Sequence, residues 1–394
     1  MLKKLAAVAI LCLFMASFKS ALQGHKTAFA STPRLPEICD VNFDDSQSAI
    51  SIIEKVAEDS GNVSFKATKT VIMWHPSGTS ACISNIVHKA PNLTRTEYLP
   101  SSASTRGFRT VVSDGKSTWH YEPSLKVVFH MPDVSSHLHK DNDIADGEGF
   151  NCTRDLSLIK SNYQVSLVAI ETMAGRQAYV IQLEPCHPGN PSRRIWVDRE
   201  YPFILKTEKY GPDGVMSSVS FYNQIEFFPL LSDALFRLDI APDVAKVELP
   251  ASGDPMPLDE LETEANFLIP VPEFVPPGYV IEGGLLSVYE AFPAAHIRLT
   301  DGLNTISYFV LPGIARDSKG QDNVINISDT SGAKVLRWQE QGYEFTLVGE
   351  VDESLLVEMA RTVSVAPHIS GEPPQQSLSQ YFARFLYQLF WFER

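Results

Sequence analysis

Asp114-Gly-Lys-Ser-Thr-Trp-His-Tyr-Glu-Pro-Ser-Leu-Lys-Val-Val-Phe129 decides the fold, together with Arg194-Ile-Trp-Val-Asp-Arg-Glu-Tyr-Pro-Phe-Ile-Leu-Lys206, which runs on to Phe227. Each reads as strand, tight turn, strand. Asp-Gly and Glu-Pro supply turn residues between runs of aromatic and β-branched ones. Outward from them the alternation continues, over Val63–Trp74, Ala81–His88, Thr94–Leu99, Arg109–Ser113, Gln164–Glu171, Gln177–Glu184, Phe203–Tyr210 and Val215–Phe227. Helical spacing occurs at Ile50, Ile53, Val56 and Ala57, and a second short helix fits Asp155–Asn162. Many strands at short intervals with few helices predict an α+β protein: a large curved antiparallel half-barrel around short helices, then a smaller α+β domain.

The proposed boundaries follow from composition. Lys3 and Lys4 precede the apolar run Leu5–Phe18, which has the form of a secretory signal and is too short to span a bilayer. Cleavage is expected near Ala30, giving a signal peptide over 1–30. The half-barrel occupies 31–240. Residues 241–266 are rich in proline and acids without a clear period and read as a linker. The small domain covers 267–366, with strands expected at Val280–Tyr289, Ala295–Thr300, Thr305–Leu311, Ala333–Gln339 and Tyr343–Gly349 and a helix at Asp352–Thr362. In the tail, 367–394, Leu378, Tyr381, Phe382, Phe385, Leu389 and Phe392 recur at helical spacing and form one aromatic face, expected to dock on its own domain, a partner or a membrane interface.

Charge and chemistry narrow the function. The formal net charge is −14, and loss of Lys3, Lys4, Lys19 and Lys26 with the signal makes the mature chain more acidic still. Nucleic acid is excluded as a partner, because binding it requires neutralising phosphates with a basic surface. No nucleophile elbow, HExxH, P-loop or dinucleotide motif stands in the sequence, so no enzyme activity and no cofactor are expected. Asp133, His137, His139, Asp141 and Asp143 form the most ligand-like cluster, but Ala145 stands where a calcium loop needs an oxygen ligand, and no metal is assigned. Cys39, Cys82, Cys152 and Cys186 remain after cleavage and allow three disulfide connectivities or free thiols. Cys152–Cys186 is favoured, since both flank the Val165–Leu183 hairpin. Trp74, Trp119, Phe129, Tyr179, Trp196, Phe203 and Phe221 are the residues expected around an apolar hollow on the concave face.

Asp-Gly-Lys-x-x-Trp-x-Tyr-x-Pro-x-x-Lys at Asp114–Lys126, followed by Trp196-Val-Asp and Lys206, resembles the fold of the periplasmic lipoprotein carriers of the LolA and LolB type. Phe274-Val-Pro-Pro-Gly-Tyr279, Leu299-Thr-Asp-Gly-Leu303, Ser307-Tyr-Phe-Val310 and Gly342-Tyr-Glu-Phe-Thr-Leu-Val-Gly-Glu-Val351 are similar to the carboxy-terminal domain of the RseB/MucB family. The resemblance implies a non-enzymatic periplasmic regulator of an envelope-stress sigma factor. Such a protein binds the periplasmic part of a membrane-bound anti-sigma factor and senses lipid, lipopolysaccharide or lipoprotein acyl chains. A lipid or lipoprotein carrier is the alternative, and homo-oligomerisation stays open. The acidic segment 241–266, the four mature cysteines and the tail after Pro373 depart from the family pattern.

Overall fold

The computed structural model describes residues 46–76, 78–100, 108–132, 152–248, 255–289, 292–312, 325–330 and 332–365. The signal-like run, Cys39, the Asp133–Asp143 loop and the aromatic tail lie outside them. The described chain opens with α1 (Ser46–Asp59) and six strands: β1 (Phe65–His75), β2 (Gly78–Lys89), β3 (Leu93–Leu99), β4 (Arg109–Asp114), β5 (Ser117–Glu122) and β6 (Val127–Pro132). Next come α2 (Cys152–Asn162), β7 (Tyr163–Met173), β8 (Arg176–Pro185), β9 (Ser192–Asp198), β10 (Ile204–Tyr210), β11 (Met216–Phe227) and β12 (Ala245–Glu248). These strands form one open sheet in the order β12-β6-β5-β4-β3-β2-β1-β11-β10-β9-β8-β7. The hairpins make it antiparallel; β12 alone adds in parallel, on β6.

Local chemistry explains the hairpins. At Asp114-Gly115 the aspartate Oδ1 accepts from the Lys116 and Ser117 amides at 2.9 and 2.8 Å. Gly115 has φ +81°, a left-handed backbone that favours glycine, and a Cβ there would also crowd the Asn92 side chain, 2.6 Å away at Oδ1. The long-range step is β1 against β11, which sets Phe65 opposite Phe227 and joins the two runs of hairpins into one sheet. Helix α1 buries Ala49, Ile53 and Val56 together with Ile159 of α2 over Val165, Ile181, Leu183, Ile195 and Val197. A helix stripe of small and branched residues lies well on the β-branched face of a sheet.

The second sheet holds β13 (Val280–Tyr289), β14 (Phe292–Thr300), β15 (Thr305–Pro312), β16 (Asn326–Thr330), β17 (Ala333–Glu340) and β18 (Tyr343–Gly349), in the order β13-β14-β15-β18-β17-β16. Helices α3 (Leu258–Ala265) and α4 (Glu353–Arg361) pack on one face, where Leu261, Leu356 and Met359 meet Tyr308, Leu336, Trp338, Phe345 and Leu347. Asp352 caps α4 by accepting from the Ser354 amide at 2.9 Å, as an acidic helix start predicts.

Three expectations need correction. The stretch 241–266 is not a featureless linker, since it holds β12 and α3. Strand β16 adds to the small domain at a place where no strand was expected. The Cys152–Cys186 bridge is not formed: Cys186 is a free thiol on the surface. The Cys186 amide donates to the carbonyl of Asn162 at the end of α2, whereas Cys152 begins that helix. A helix of that length separates its ends by about 15 Å, beyond disulfide reach.

Candidate binding surfaces and the junction between the sheets

The seven aromatic residues expected around one hollow fall into separate places. Tyr179 packs against the cluster beneath α1 and α2, with the Arg199 guanidinium 5.2 Å above its ring. Trp196 and Phe203 belong to the neighbouring cluster with Phe65, Leu205 and Tyr222, where the Phe203 and Phe65 rings meet edge-on at 4.8 Å. Strand alternation explains the division. Val180 is paired with Trp196 and Tyr179 with Val197, and successive residues of a strand point to opposite faces.

Trp74 and Phe221 come together elsewhere, against Tyr210, Met216 and Val219. Trp119 stacks on His130 at 5.0 Å, and buried Phe129 lies on the next strand. Since β5 and β1 are four strand spacings apart, this pair stands about 19 Å from Trp74 along the sheet. Trp196 is also fixed by polar contacts that sequence reasoning missed: its Nε1 donates to Oε2 of Glu171 at 2.8 Å, and Nζ of Lys206 lies 4.0 Å over its ring. Lys206 in turn pairs with Glu208 at 2.7 Å.

A strip of exposed apolar residues follows β11. Phe228, Leu230, Leu235 and Ile240 are 55, 104, 40 and 37% exposed. The strip is tied down at several points. Lys89 pairs with Asp233 at 2.5 Å, Arg95 donates to the carbonyls of Leu235 and Arg237, and Phe236 is buried. Several exposed apolar side chains on one braced segment make it a candidate contact surface.

The two sheets meet at a buried polar junction. Asp301, fully buried, accepts at Oδ1 from the amides of Leu303 and Asn304 at 2.9 and 2.7 Å, and at Oδ2 from the Tyr163 hydroxyl at 2.5 Å. Nδ2 of Asn304 donates to the same hydroxyl at 2.7 Å, and Arg193 donates to the Leu303 carbonyl at 2.9 Å. Asn162 donates to the carbonyls of Gly278 and Asp301, and Asn190 to that of Pro277. Burial, then the Asp301 charge, hold the Tyr163 hydroxyl far above its ordinary pKa, so it stays a donor. A buried carboxylate is tolerable only with such a set of donors. Leu299–Leu303 and Phe274–Tyr279, quoted above as motifs, supply the small domain's half of this grip, a role that their turn-like sequences did not disclose.

The MucB/RseB N-terminal domain family matches residues 104–237. No curated protein matches the chain. Among solved structures, MucB in complex with MucA(peri) is similar at 18% identity and TM-score 0.54, covering 82% of this chain and 100% of that one. The Pseudomonas aeruginosa MucA/MucB complex gives 17% and 0.54 over 82 and 100% of the two chains. MucB alone gives 18% and 0.52 over 81 and 98%. At these identities the likeness establishes the shared fold.

Proposed function

We propose, for a chain that carries a MucB/RseB N-terminal domain, that it is a periplasmic regulator. It binds the periplasmic part of a membrane-bound anti-sigma factor and keeps the sigma factor sequestered. The observation that carries the reading is that the likeness to MucB, a protein solved in complex with MucA(peri), spans both sheets and the whole of that chain. A carrier has no need of the second sheet. The surface assigned to the partner is the strip Phe228, Leu230, Leu235 and Ile240.

Acyl chains of lipid or mislocalised lipoprotein are the signal in this reading. They would enter by parting the aromatic clusters around Trp196 and Phe203 and around Trp74 and Phe221. A ligand that binds only the parted state shifts the population towards it and weakens any partner that prefers the closed one. Calorimetric titration with the periplasmic segment of an anti-sigma factor from the same genome tests the first claim. Saturable binding is expected, weakened by a fatty-acyl probe, and absence of binding would sink the reading. Binding that the probe leaves unchanged would remove the lipid part alone.

A further inference from the structure

Strand β12 closes one edge of the twelve-stranded sheet with a weak hold on a well-buried neighbour. Its register sets Ala245 opposite Val127, Lys246 opposite Val128, Val247 opposite Phe129 and Glu248 opposite His130. Of its four residues only Val247 is half-buried; Ala245, Lys246 and Glu248 are exposed. On β6, by contrast, Val128 and Phe129 are 0 and 5% exposed. The β12–β6 pairing is also parallel, the less stable geometry per residue. A strand that buries little apolar surface and leaves its ladder bonds near water opens before the rest of its sheet.

Polar contacts supply the rest of the hold. The Ala245 amide donates to the Lys126 carbonyl at 2.9 Å. Nζ of Lys126 pairs with Oδ2 of Asp243 at 2.7 Å, with the two side chains 67 and 62% exposed. Oε2 of Glu248 lies 2.5 Å from Nδ1 of His130, and Nζ of Lys246 lies 2.6 Å from Oε1 of Glu248. The Lys246 hydrogen bond first, and that of His130 after it, hold the Glu248 carboxyl below its usual pKa, so it stays ionised and His130 Nδ1 is the donor. Exposed ion pairs of this kind hold weakly. The approach to β12 is tied in the same manner: Asp233 meets Lys89 of β2, and the Leu235 and Arg237 carbonyls meet Arg95 of β3. Within 228–248 only Phe236 is buried. Detachment of β12 leaves the outer amides and carbonyls of Val127–His130 unpaired on an apolar strand, an edge that takes up extended peptides. The present occupant shows what the edge selects: carboxylates at the positions of Asp243 and Glu248, and an aliphatic side chain opposite Phe129.

We propose that β12 is a displaceable latch and that the outer edge of β6 is a strand-addition site. Its ligand is an extended, carboxylate-bearing segment of a partner protein, which meets Lys126 and His130 and sets an aliphatic residue opposite Phe129. This goes beyond the regulator reading and does not depend on it. The test uses the full chain and a fluorescent peptide of its own residues 241–248. Saturable binding is expected by anisotropy. A chain carrying Val127→Cys with Ala245→Cys, oxidised and with that bridge verified by peptide mapping, should bind about tenfold or more less tightly, and reduction should restore the affinity. Asp243→Asn with Glu248→Gln in the chain loosens the latch and should tighten peptide binding several-fold. A peptide carrying Asp243→Lys and Glu248→Lys should bind about tenfold or more weaker than the parent peptide. Absence of binding by both the parent and the loosened chain, binding that the bridge leaves unchanged, or equal binding of the two peptides overturns the proposal. Doubling of the loosened chain's mass in light scattering without peptide would give the edge to a second copy and overturn it as well. Hydrogen exchange is the second measurement: the amides of Lys246–Glu248 should exchange about a hundredfold faster than those of Trp119–Tyr121 in β5, and equal protection would show that β12 is no latch.

Discussion

The Tyr163 hydroxyl reaches Oδ2 of Asp301 at 2.5 Å across 138 residues of sequence. The first residue of β7 is thereby tied to the β14–β15 turn, and the large sheet to the small one. Tyr163→Phe removes that donor while leaving the ring in place, and Asp301 keeps the Leu303 and Asn304 donors. A hydrogen bond to a buried charge is worth about 2 kcal/mol. Urea unfolding of the variant should show a loss of that order with an unchanged slope, and a loss near zero would mean that the contact is unimportant. Alkaline pH tests the same bond. With the folded-state pKa raised, the contribution is whole below about pH 10 and is lost above it, and Tyr163→Phe should flatten part of that loss.

Gly278 stands beside this contact with φ +88°, and a Cβ there would lie 2.8 Å from Cδ2 of His187 and 3.0 Å from Oδ1 of Asn162. Asn162 cannot retreat without losing its bonds to the Gly278 and Asp301 carbonyls. Gly278→Ala should therefore cost about 2 kcal/mol from the left-handed backbone alone and open the junction to protease. Thermal unfolding and limited proteolysis check this, and a variant as stable and as resistant as the parent would contradict it.

Hairpins were legible in the sequence because their determinants are local: Asp114-Gly115 makes its own turn, and the short apolar runs within Ser192–Asp198 and Thr305–Pro312 read as strands buried on both faces. The strip β12 was not, since Ala245–Glu248 has no apolar alternation and gains its place only by pairing with β6. Helix α3 was hidden in an acidic run with only Leu261 and Ala265 buried. The aromatic candidates fall in separate clusters instead of one, because alternation fixes a face only once register is known. Tyr179 and Trp196 read alike until Val180 is seen opposite Trp196. The junction at Asp301 was least legible, for its donors come from positions 162, 163 and 193 and no local pattern announces a partner so distant.

His88 gives the acid side of the stability profile. It is 2% exposed beside Phe65, its Nδ1 lies 3.0 Å from the Thr94 hydroxyl, and burial pushes its pKa down to about 4. The folded state thus binds a proton less readily than the unfolded one. Its stabilising effect is complete above about pH 6.5 and is lost as pH falls towards 4, by up to about 3 kcal/mol. Denaturant midpoints from pH 7 to pH 4 should fall for the parent and fall less for His88→Gln. Parallel slopes would show that other groups govern acid unfolding.

Leu230 separates binding from folding most cleanly. Its side chain is 104% exposed, so Leu230→Asp should change stability by less than about 0.5 kcal/mol. If the strip beyond β11 receives the anti-sigma segment, the same change places an unpaired carboxylate in an apolar contact. The dissociation constant should then rise about tenfold or more, equal to about 1.4 kcal/mol. Phe236→Ala is the control: that residue is 2% exposed under the same strip, and its loss should cost about 3 kcal/mol of stability. A Leu230→Asp protein that folds and binds as tightly as the parent would move the partner to another surface. A variant that folds normally and binds weakly fixes it on this one.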